Sequence, residues 1–351
     1  MRRPALLLAA TALATLPVLA QTPSENQPKF PTPPPALSAE NSVIGPDYAN
    51  APESVANPAV PQGDVREFIM YSEDSKIYPG IVRVQNMQRD PSGNFIAPPG
   101  GLSAPGRYER HVFVYIPRQY VPGTPAPFMV VQDGRSYVKR MVNVMDNMIA
   151  AKRLPPMILV LPDSGGSDAQ GSERGLEYDT MSDSYSNWVE QELLPAVSQK
   201  YGVGFTTDPD GRATMGGSSG AAAAWTMAWY HPERYHKVLS YSGTFVNQAW
   251  PPDPKTPRGA WEYHATLLPK AAKKPIRIWM EVGEKDNRFD NAEATWHNWP
   301  LANNRMAAVL KTKGYDHRYV FAMGAGHVDN RVVMQTLPAA LEWLWRDYPK
   351  Q

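Results

Sequence analysis

Residues 216–220 read Gly-Gly-Ser-Ser-Gly, between the strand-like run Arg212–Met215 and a helix opener of four alanines, Ala221 to Ala224. A serine held at a sharp strand-to-helix turn exposes its hydroxyl above a sheet, and Gly-x-Ser-x-Gly in that context is the pattern of a nucleophile elbow. Register selects Ser218, because centring the pattern on Ser219 puts Ala221 where the second glycine belongs. Gly216 and Gly220 stand where strand and helix come too close for Cβ atoms. The alanines let the helix lie against a sheet while keeping high helix propensity. The bland alternative, a flexible Gly/Ser link, does not account for the strand before the turn and the helix after it.

A serine hydroxyl is a poor nucleophile until a base takes its proton and an acid orients that base. After an elbow serine, the chain order is acid and then histidine. Of the seven histidines, His327 follows the strand-like Arg318–Met323 through Gly324-Ala325-Gly326 and precedes the final helix, where a loop can carry an imidazole to Ser218. His297 is the second choice and has no strand before it. His111, His231, His236, His264 and His317 read as surface or packing residues. The strand Ile276–Val282 runs into Gly283-Glu284-Lys285-Asp286, which makes Asp286 the expected acid, with Glu284 and Asp290 as open alternatives.

A tetrahedral oxyanion needs two backbone N–H donors. One is expected from Ser219 and the other from the turn after Pro127–Gln132, at Gly134 or Arg135. Tyr137, Tyr178 and Trp299, with Trp225 and Trp296, fall on segments near strand ends, where aromatic rings stack on a sugar or a phenolic group. Trp225 reads better as helix-to-sheet packing. Arg135 and Arg174 are placed to meet an anionic group, against the simpler reading of solvated loop arginines.

The elements needed to position these residues are legible as an alternation. Strands are expected at Arg66–Tyr71, Glu109–Ile116, Pro127–Gln132, Met157–Leu161, Arg212–Met215, Lys237–Tyr241, Ile276–Val282 and Arg318–Met323. Several are apolar runs without strict alternation, as expected for strands covered on both faces. Helices are expected at Ser136–Ala151, Tyr185–Tyr201, Gly220–Trp229, Leu301–Lys313 and Met334–Arg346. This rhythm predicts an α/β domain with a mostly parallel sheet and helices on both faces. In such sheets the ligand crevice lies beyond the carboxyl ends of the strands.

Composition narrows the chemistry further. The 351 residues carry 35 Lys+Arg against 34 Asp+Glu and no Cys. A formal charge of +1 argues against a nucleic-acid partner and against a polybasic membrane patch. The lack of cysteine excludes disulfides, thiolate metal sites and a cysteine nucleophile. No metal-ligating or nucleotide-binding run appears, so neither metal nor cofactor is expected. Residues 1–20, with Arg2, Arg3, an apolar Ala5–Leu19 and the small-residue end Val18-Leu19-Ala20, read as a signal peptide for export to the periplasm or beyond, not a membrane anchor. Residues 21–62 are Pro-rich and read as a disordered or extended leader, which leaves 63–351 as a single domain.

The chain from about Gly63 to Tyr348 resembles the enterochelin-esterase-like (esterase D/feruloyl esterase-related) branch of the α/β-hydrolases. The stretches that carry the resemblance are Ile77-Tyr78-Pro79-Gly80, Val114-Tyr115-Ile116-Pro117, Gln132-Asp133-Gly134, Glu177-Tyr178-Asp179, Gly217-Ser218-Ser219-Gly220, Asn298-Trp299-Pro300-Leu301-Ala302-Asn303 and Gly326-His327. The resemblance implies an α/β-hydrolase fold and cofactor-free serine ester hydrolysis, with Ser218 as nucleophile, His327 as base and Asp286 as acid. It also implies a siderophore-type, feruloyl or acetyl-carbohydrate, or other small ester substrate. The elbow departs from the commoner Gly-x-Ser-Met-Gly by carrying Ser219, which alters the neighbouring pocket. An acyltransferase with the same triad, and a non-catalytic binding protein of the same fold, are the alternatives.

Overall fold

Nine strands make one sheet: β1 (Asn41–Ile44), β2 (Asp64–Tyr71), β3 (Glu109–Ile116), β4 (Phe128–Val131), β5 (Ile158–Pro162), β6 (Arg212–Gly217), β7 (Lys237–Tyr241), β8 (Arg277–Gly283) and β9 (Asp316–Ala322). Their order across the sheet is β1-β9-β8-β7-β6-β4-β5-β3-β2. From β1 to β5 all neighbours run parallel, and β3 and β2 extend the sheet antiparallel. This computed structural model describes residues 31–84, 101–166 and 169–350.

The burial of each strand follows its place. The central β4, β5, β6 and β7 are buried at every position, as parallel strands with helices on both faces must be. Near the edge, β3 alternates buried and less buried residues along most of its length. The helices that matter for the site are α1 (Gly134–Ala150), α2 (Glu173–Tyr178), α3 (Ser184–Trp188), α4 (Leu194–Tyr201), α5 (Ser219–Tyr230), α6 (Trp299–Thr312) and α7 (Asn330–Leu344). One face of the sheet is covered by α1 and α7 through Met141, Met145, Leu337 and Leu341. The other is covered by α5 and α6 through Trp225, Met227, Met306 and Leu310. Trp225 is fully buried there and serves packing.

All eight expected strands and all five expected helices are present, with most ends shifted by a residue or two. The helix expected over Tyr185–Tyr201 is interrupted by a π-helical turn at Val189–Leu193, where Leu194 N–H bonds back to Val189 O. Pro195, just beyond, lacks the N–H that would continue a regular ladder, and the wider turn accommodates that loss.

Of the leader expected over 21–62, the disordered reading is corrected for residues 31–62. Residues 31–62 lie on the domain as a strap, and Asn41–Ile44 pair in parallel with Tyr319–Ala322 of β9. Thr32 N–H donates to Phe289 O at 3.3 Å, and its hydroxyl donates to Asn298 Oδ1 at 3.2 Å. Asn304 Nδ2 donates to Pro33 O at 3.0 Å, and the Tyr48 hydroxyl donates to Met323 O at 2.7 Å. The physical reason is the open edge of β9. Its unpaired backbone groups seek a partner, and a short proline-free stretch satisfies them whatever the composition around it. The expected signal peptide and residues 21–30 lie outside the described residues. Among the described residues no helix is long and apolar enough to cross a membrane.

One residue of β8 is out of character with its surroundings. Glu281 is fully buried, and neither carboxyl oxygen has a hydrogen-bond partner. Burial, reinforced by the nearby Asp286 and Asp329 carboxylates, pushes it well above the ordinary 4.5. The folded state therefore keeps a proton that the unfolded chain releases above about pH 4.5, and this group lowers stability as pH rises from that point. Glu281→Gln, which has the same shape and does not titrate, is expected to raise the unfolding midpoint by several degrees near pH 8. The gain should fade toward pH 4; thermal unfolding across that range checks it, and a gain independent of pH would show that ionisation is not the cause.

Candidate active site

The glycine at the end of β6 sets the geometry of the turn. A Cβ on Gly216 would lie 2.3 Å from the carbonyl carbon of Gly220, so no other residue lets α5 start this close to its strand. Ser218 consequently sits at φ 57°, ψ −129°, a conformation that L-residues rarely adopt and that costs on the order of 1–3 kcal/mol. Neighbouring backbone holds it there. Ser218 N–H donates to Tyr241 O at 2.9 Å, and Ser218 O accepts from Thr244 N–H at 3.2 Å. The hydroxyl stands half-buried at the carboxyl ends of the strands, 3.5 Å from Thr244 Oγ1.

The loops after β8 and β9 meet beside it. A Cβ on Gly283 would lie 2.5 Å from the carbonyl oxygens of both Ala325 and Gly326, so glycine permits the approach. Glu284 N–H then donates to Ala322 O and Lys285 N–H to Ala325 O, each at 2.8 Å. This clasp brings Asp286 and His327 together: Nδ1 of His327 lies 2.5 Å from Asp286 Oδ1. The Asp286 side chain is fully buried and that of His327 is 25% exposed. With Nδ1–H donated to the carboxylate, Nε2 is the nitrogen free to accept a proton. The ring stands edge-on to Trp299, centroids 6.0 Å apart, and the next residue, Val328, packs over Gly217 of the elbow. Ser218 and His327 share no hydrogen bond in this structure: the Ser218 hydroxyl faces Thr244 and the His327 ring faces Asp286.

The remaining expected positions resolve as follows. His297 donates from Nδ1 to Thr295 O, 2.6 Å away, and burial lowers its pKa; no carboxylate orients it. His111, His231 and His236 pair with Glu67, Glu233 and Asp210, while His264 and His317 bond backbone carbonyls. Glu284 accepts the Gly324 N–H at 2.7 Å and so braces the histidine loop. Neither Glu284 nor Asp290 reaches the imidazole.

On the other side of the Ser218 turn, β4 and β6 are neighbours, so the N-termini of α1 and α5 lie side by side. Ser219 N–H, in the first turn of α5, has no acceptor among the described residues, and the same holds for Gly134 N–H at the start of α1. Arg135 is corrected as a donor: its N–H is engaged by Asp163 Oδ1 at 2.8 Å, and its side chain by Asp163 Oδ2 at 3.1 Å. Arg174 is likewise committed, to Asp133. The stacking roles expected for Tyr137, Tyr178 and Trp299 are corrected too. All three are buried: the Arg140 guanidinium lies over the Tyr137 ring and that of Arg174 over Tyr178, while Trp299 meets the His327 ring edge-on. The half-buried Trp296 has the more accessible ring.

Two features escaped the sequence. Thr244 follows β7 by three residues, where the strand-end rule points, but threonine carries no mark that separates it from other loop residues. Asp179 is buried beside the elbow, its Oδ2 accepting from Ser219 Oγ at 3.1 Å and from Gln248 Nε2 at 3.2 Å. Burial pushes this carboxyl up to about 6, against the lowering pull of Arg174, Gln248 and Ser219. No group of three or more His, Cys, Asp or Glu among the described residues is placed to hold a metal ion.

Residues 103–344 match the family described as putative esterase. An uncharacterised Bacillus subtilis protein, YbbA, is 22% identical over 260 residues, covering 70% of this chain and 96% of its own. The iron(III) enterobactin esterase of Dickeya dadantii is 27% identical over 203 residues, 56% of this chain and 43% of that protein. Among solved structures, the enterobactin esterase of Shigella flexneri superposes with a TM-score of 0.53 at 20% identity, covering 83% of this chain and 61% of that one. A ferulic acid esterase of the anaerobic fungus Anaeromyces mucronatus gives a TM-score of 0.57 at 14% identity, covering 85% and 96%. The structural likenesses speak for the fold. The chain spans 43% and 61% of the length of the two enterobactin esterases.

The pairing separates the two nearby carboxylates by experiment. Asp286→Asn is expected to lower kcat on a small activated ester by about 10²–10⁴-fold, because the amide no longer holds the imidazole in the right tautomer. Glu284→Gln keeps an acceptor for Gly324 N–H and should cost less than about tenfold. Steady-state kinetics on both variants decide it; a deeper loss in Glu284→Gln would move the acid's role there.

Proposed function

The chain belongs to the putative esterase family and is a carboxylic ester hydrolase of α/β-hydrolase fold, and from that premise we propose that it works through an acyl-enzyme on Ser218. The observation that carries the reading is the His327–Asp286 pair on loops that close over the strained Ser218 turn. In the proposed cycle, Ser218 Oγ attacks the ester carbonyl carbon as its proton passes to His327 Nε2. The negative oxygen of the tetrahedral adduct is received by the Ser219 and Gly134 N–H groups at two helix N-termini, where the helix dipoles also favour negative charge. Collapse of the adduct breaks the ester C–O bond, and His327 returns the proton to the leaving alkoxide. Water then repeats the sequence on the acyl-serine, with His327 again taking and giving one proton, and the acid is released.

The relatives act on enterobactin and on ferulic acid esters by their names, and we extend the class of aromatic or small carboxylic esters to this chain. The proposal includes export, on the strength of residues 1–20.

Ser218→Ala is the direct test. It is expected to lower turnover of a small activated ester by at least about 10³-fold, and to remove covalent labelling by a fluorophosphonate probe while the unfolding midpoint stays near that of the parent. Retained turnover, or labelling at another residue, would falsify the assignment. Intact mass of the chain recovered after expression in a Gram-negative host checks export: a mature protein beginning at Gln21 is expected, and an uncleaved Met1 species in the cytosol would contradict it.

A further inference from the structure

The two amides assigned to the oxyanion stand on different helices, and one short segment touches both turns. α2 is anchored in the core by a fully buried bidentate pair: Arg110 Nη1 donates to Glu177 Oε2 at 2.7 Å and Nη2 to Oε1 at 2.5 Å. Its first residue, Glu173, accepts Ile81 N–H at 2.7 Å. From this fixed base Arg174 grips Asp133 twice, Nε to Oδ1 at 3.2 Å and Nη2 to Oδ2 at 2.8 Å. The Tyr178 hydroxyl accepts Asp133 N–H at 3.3 Å. Asp133 itself stands at φ 57° immediately before Gly134, so the grip fixes the entry to α1. At the other end of the segment, Asp179 Oδ2 accepts the Ser219 hydroxyl at 3.1 Å, and Gln248 Nε2 donates to both Asp179 Oδ2 and Ser219 Oγ.

The second half of this arrangement is a polar triangle that packing alone does not require. Ser219 and Asp179 are both buried, and Asp179 Oδ1 has no partner. Buried polar groups lower stability unless satisfied, so an alanine at 219 facing an apolar residue would pack here with less loss. What the triangle does supply is orientation. A hydroxyl held by two partners tethers Ser219 itself, and so restrains the first turn of α5 and the position of the peptide that carries the Ser219 N–H. Donors for a developing oxyanion must stand within a few tenths of an ångström of their places to be effective.

Resting on the reading of Ser218 as nucleophile, we propose that Arg174 and Asp179 are positioning residues. The segment from 174 to 179 is a bracket that sets the Ser219 and Gly134 amides relative to one another. Neither side chain touches the reacting atoms; each acts through the turn it holds. Because the bracket serves the transition state and not the bound ester, its loss falls on kcat more than on KM.

Kinetics of the full-length chain on p-nitrophenyl acetate test this. Asp179→Leu is expected to lower kcat at least about tenfold with KM within about threefold. Asp179→Asn, whose amide oxygen takes the place of Oδ2, should return kcat to within about threefold of the parent. Arg174→Met should lose kcat in the same way. Ser219→Ala should match Asp179→Leu, and the double variant should be no worse than either single one, since both cut one link. Where Asp179→Leu lowers the unfolding midpoint, Ser219→Ala in a chain of parental stability carries the test. Parental kcat in Asp179→Leu or Ser219→Ala, equal losses in Asp179→Leu and Asp179→Asn, or additive losses in the double variant would each overturn the bracket. Ser218→Ala runs alongside. If it is inactive while the bracket variants are unaffected, only the bracket falls; if it keeps activity, the nucleophile reading falls first.

Discussion

The close approach of α5 to the end of β6 is the constraint from which the rest follows. With 2.3 Å between the place a Gly216 side chain would occupy and the Gly220 carbonyl carbon, the chain has room for a turn only if Ser218 takes a left-handed φ. Strain of that kind persists only where surrounding structure over-determines it. Here the surrounding structure is β7, whose last residue accepts the Ser218 N–H and whose outgoing loop donates back to Ser218 O. The same geometry leaves the Ser219 N–H at the head of a helix without an internal partner, as all first-turn amides are. Exposure of the hydroxyl and availability of an anion-stabilising amide are thus one structural event.

Asp286 and His327 arrive by a different route. Their loops leave adjacent strands, β8 and β9, and a glycine at 283 lets the two backbones touch. The strap from the N-terminal side braces both: Thr32 ties to Phe289 and Asn298 beyond the acid, and Tyr48 ties to Met323 ahead of the histidine. The edge strand β1 therefore finishes the sheet and also fixes the ends of the two loops that carry Asp286 and His327. Proline in this strap is compatible with such a role, because it stays outside the four-residue ladder that needs donors.

Three carboxyl groups buried near the site show how pairing decides chemistry. Asp286 has an imidazole. Asp179 has two neutral donors and is pushed up to about 6. Glu281 has none and is held protonated far above the ordinary range. Burial acts on Asp179 and Glu281 in the same direction; what separates these two is the donors each one meets.

The sequence alone determined the α/β alternation, the strand-to-helix turn at Ser218, and the order of the strand-end loops that carry Asp286 and His327. These depend on local pattern: apolar runs, helix periodicity, and glycines at a turn whose sterics involve only neighbours in the chain. Arg135, Tyr137, Tyr178 and Trp299 all stand beside strand ends, but position in the chain says nothing of whether an amide is already engaged or a ring already covered. The tertiary structure decided those points. It gave the Arg135 N–H to Asp163, buried the three rings, laid the Pro-rich segment along β9, and set Asp179 against Ser219. The physical reason is that each of these rests on contacts between residues far apart in sequence, and on backbone groups that composition does not describe. A strand edge recruits a partner through N–H and C=O groups common to every residue, and a buried carboxyl meets its donor only after helices and loops have packed.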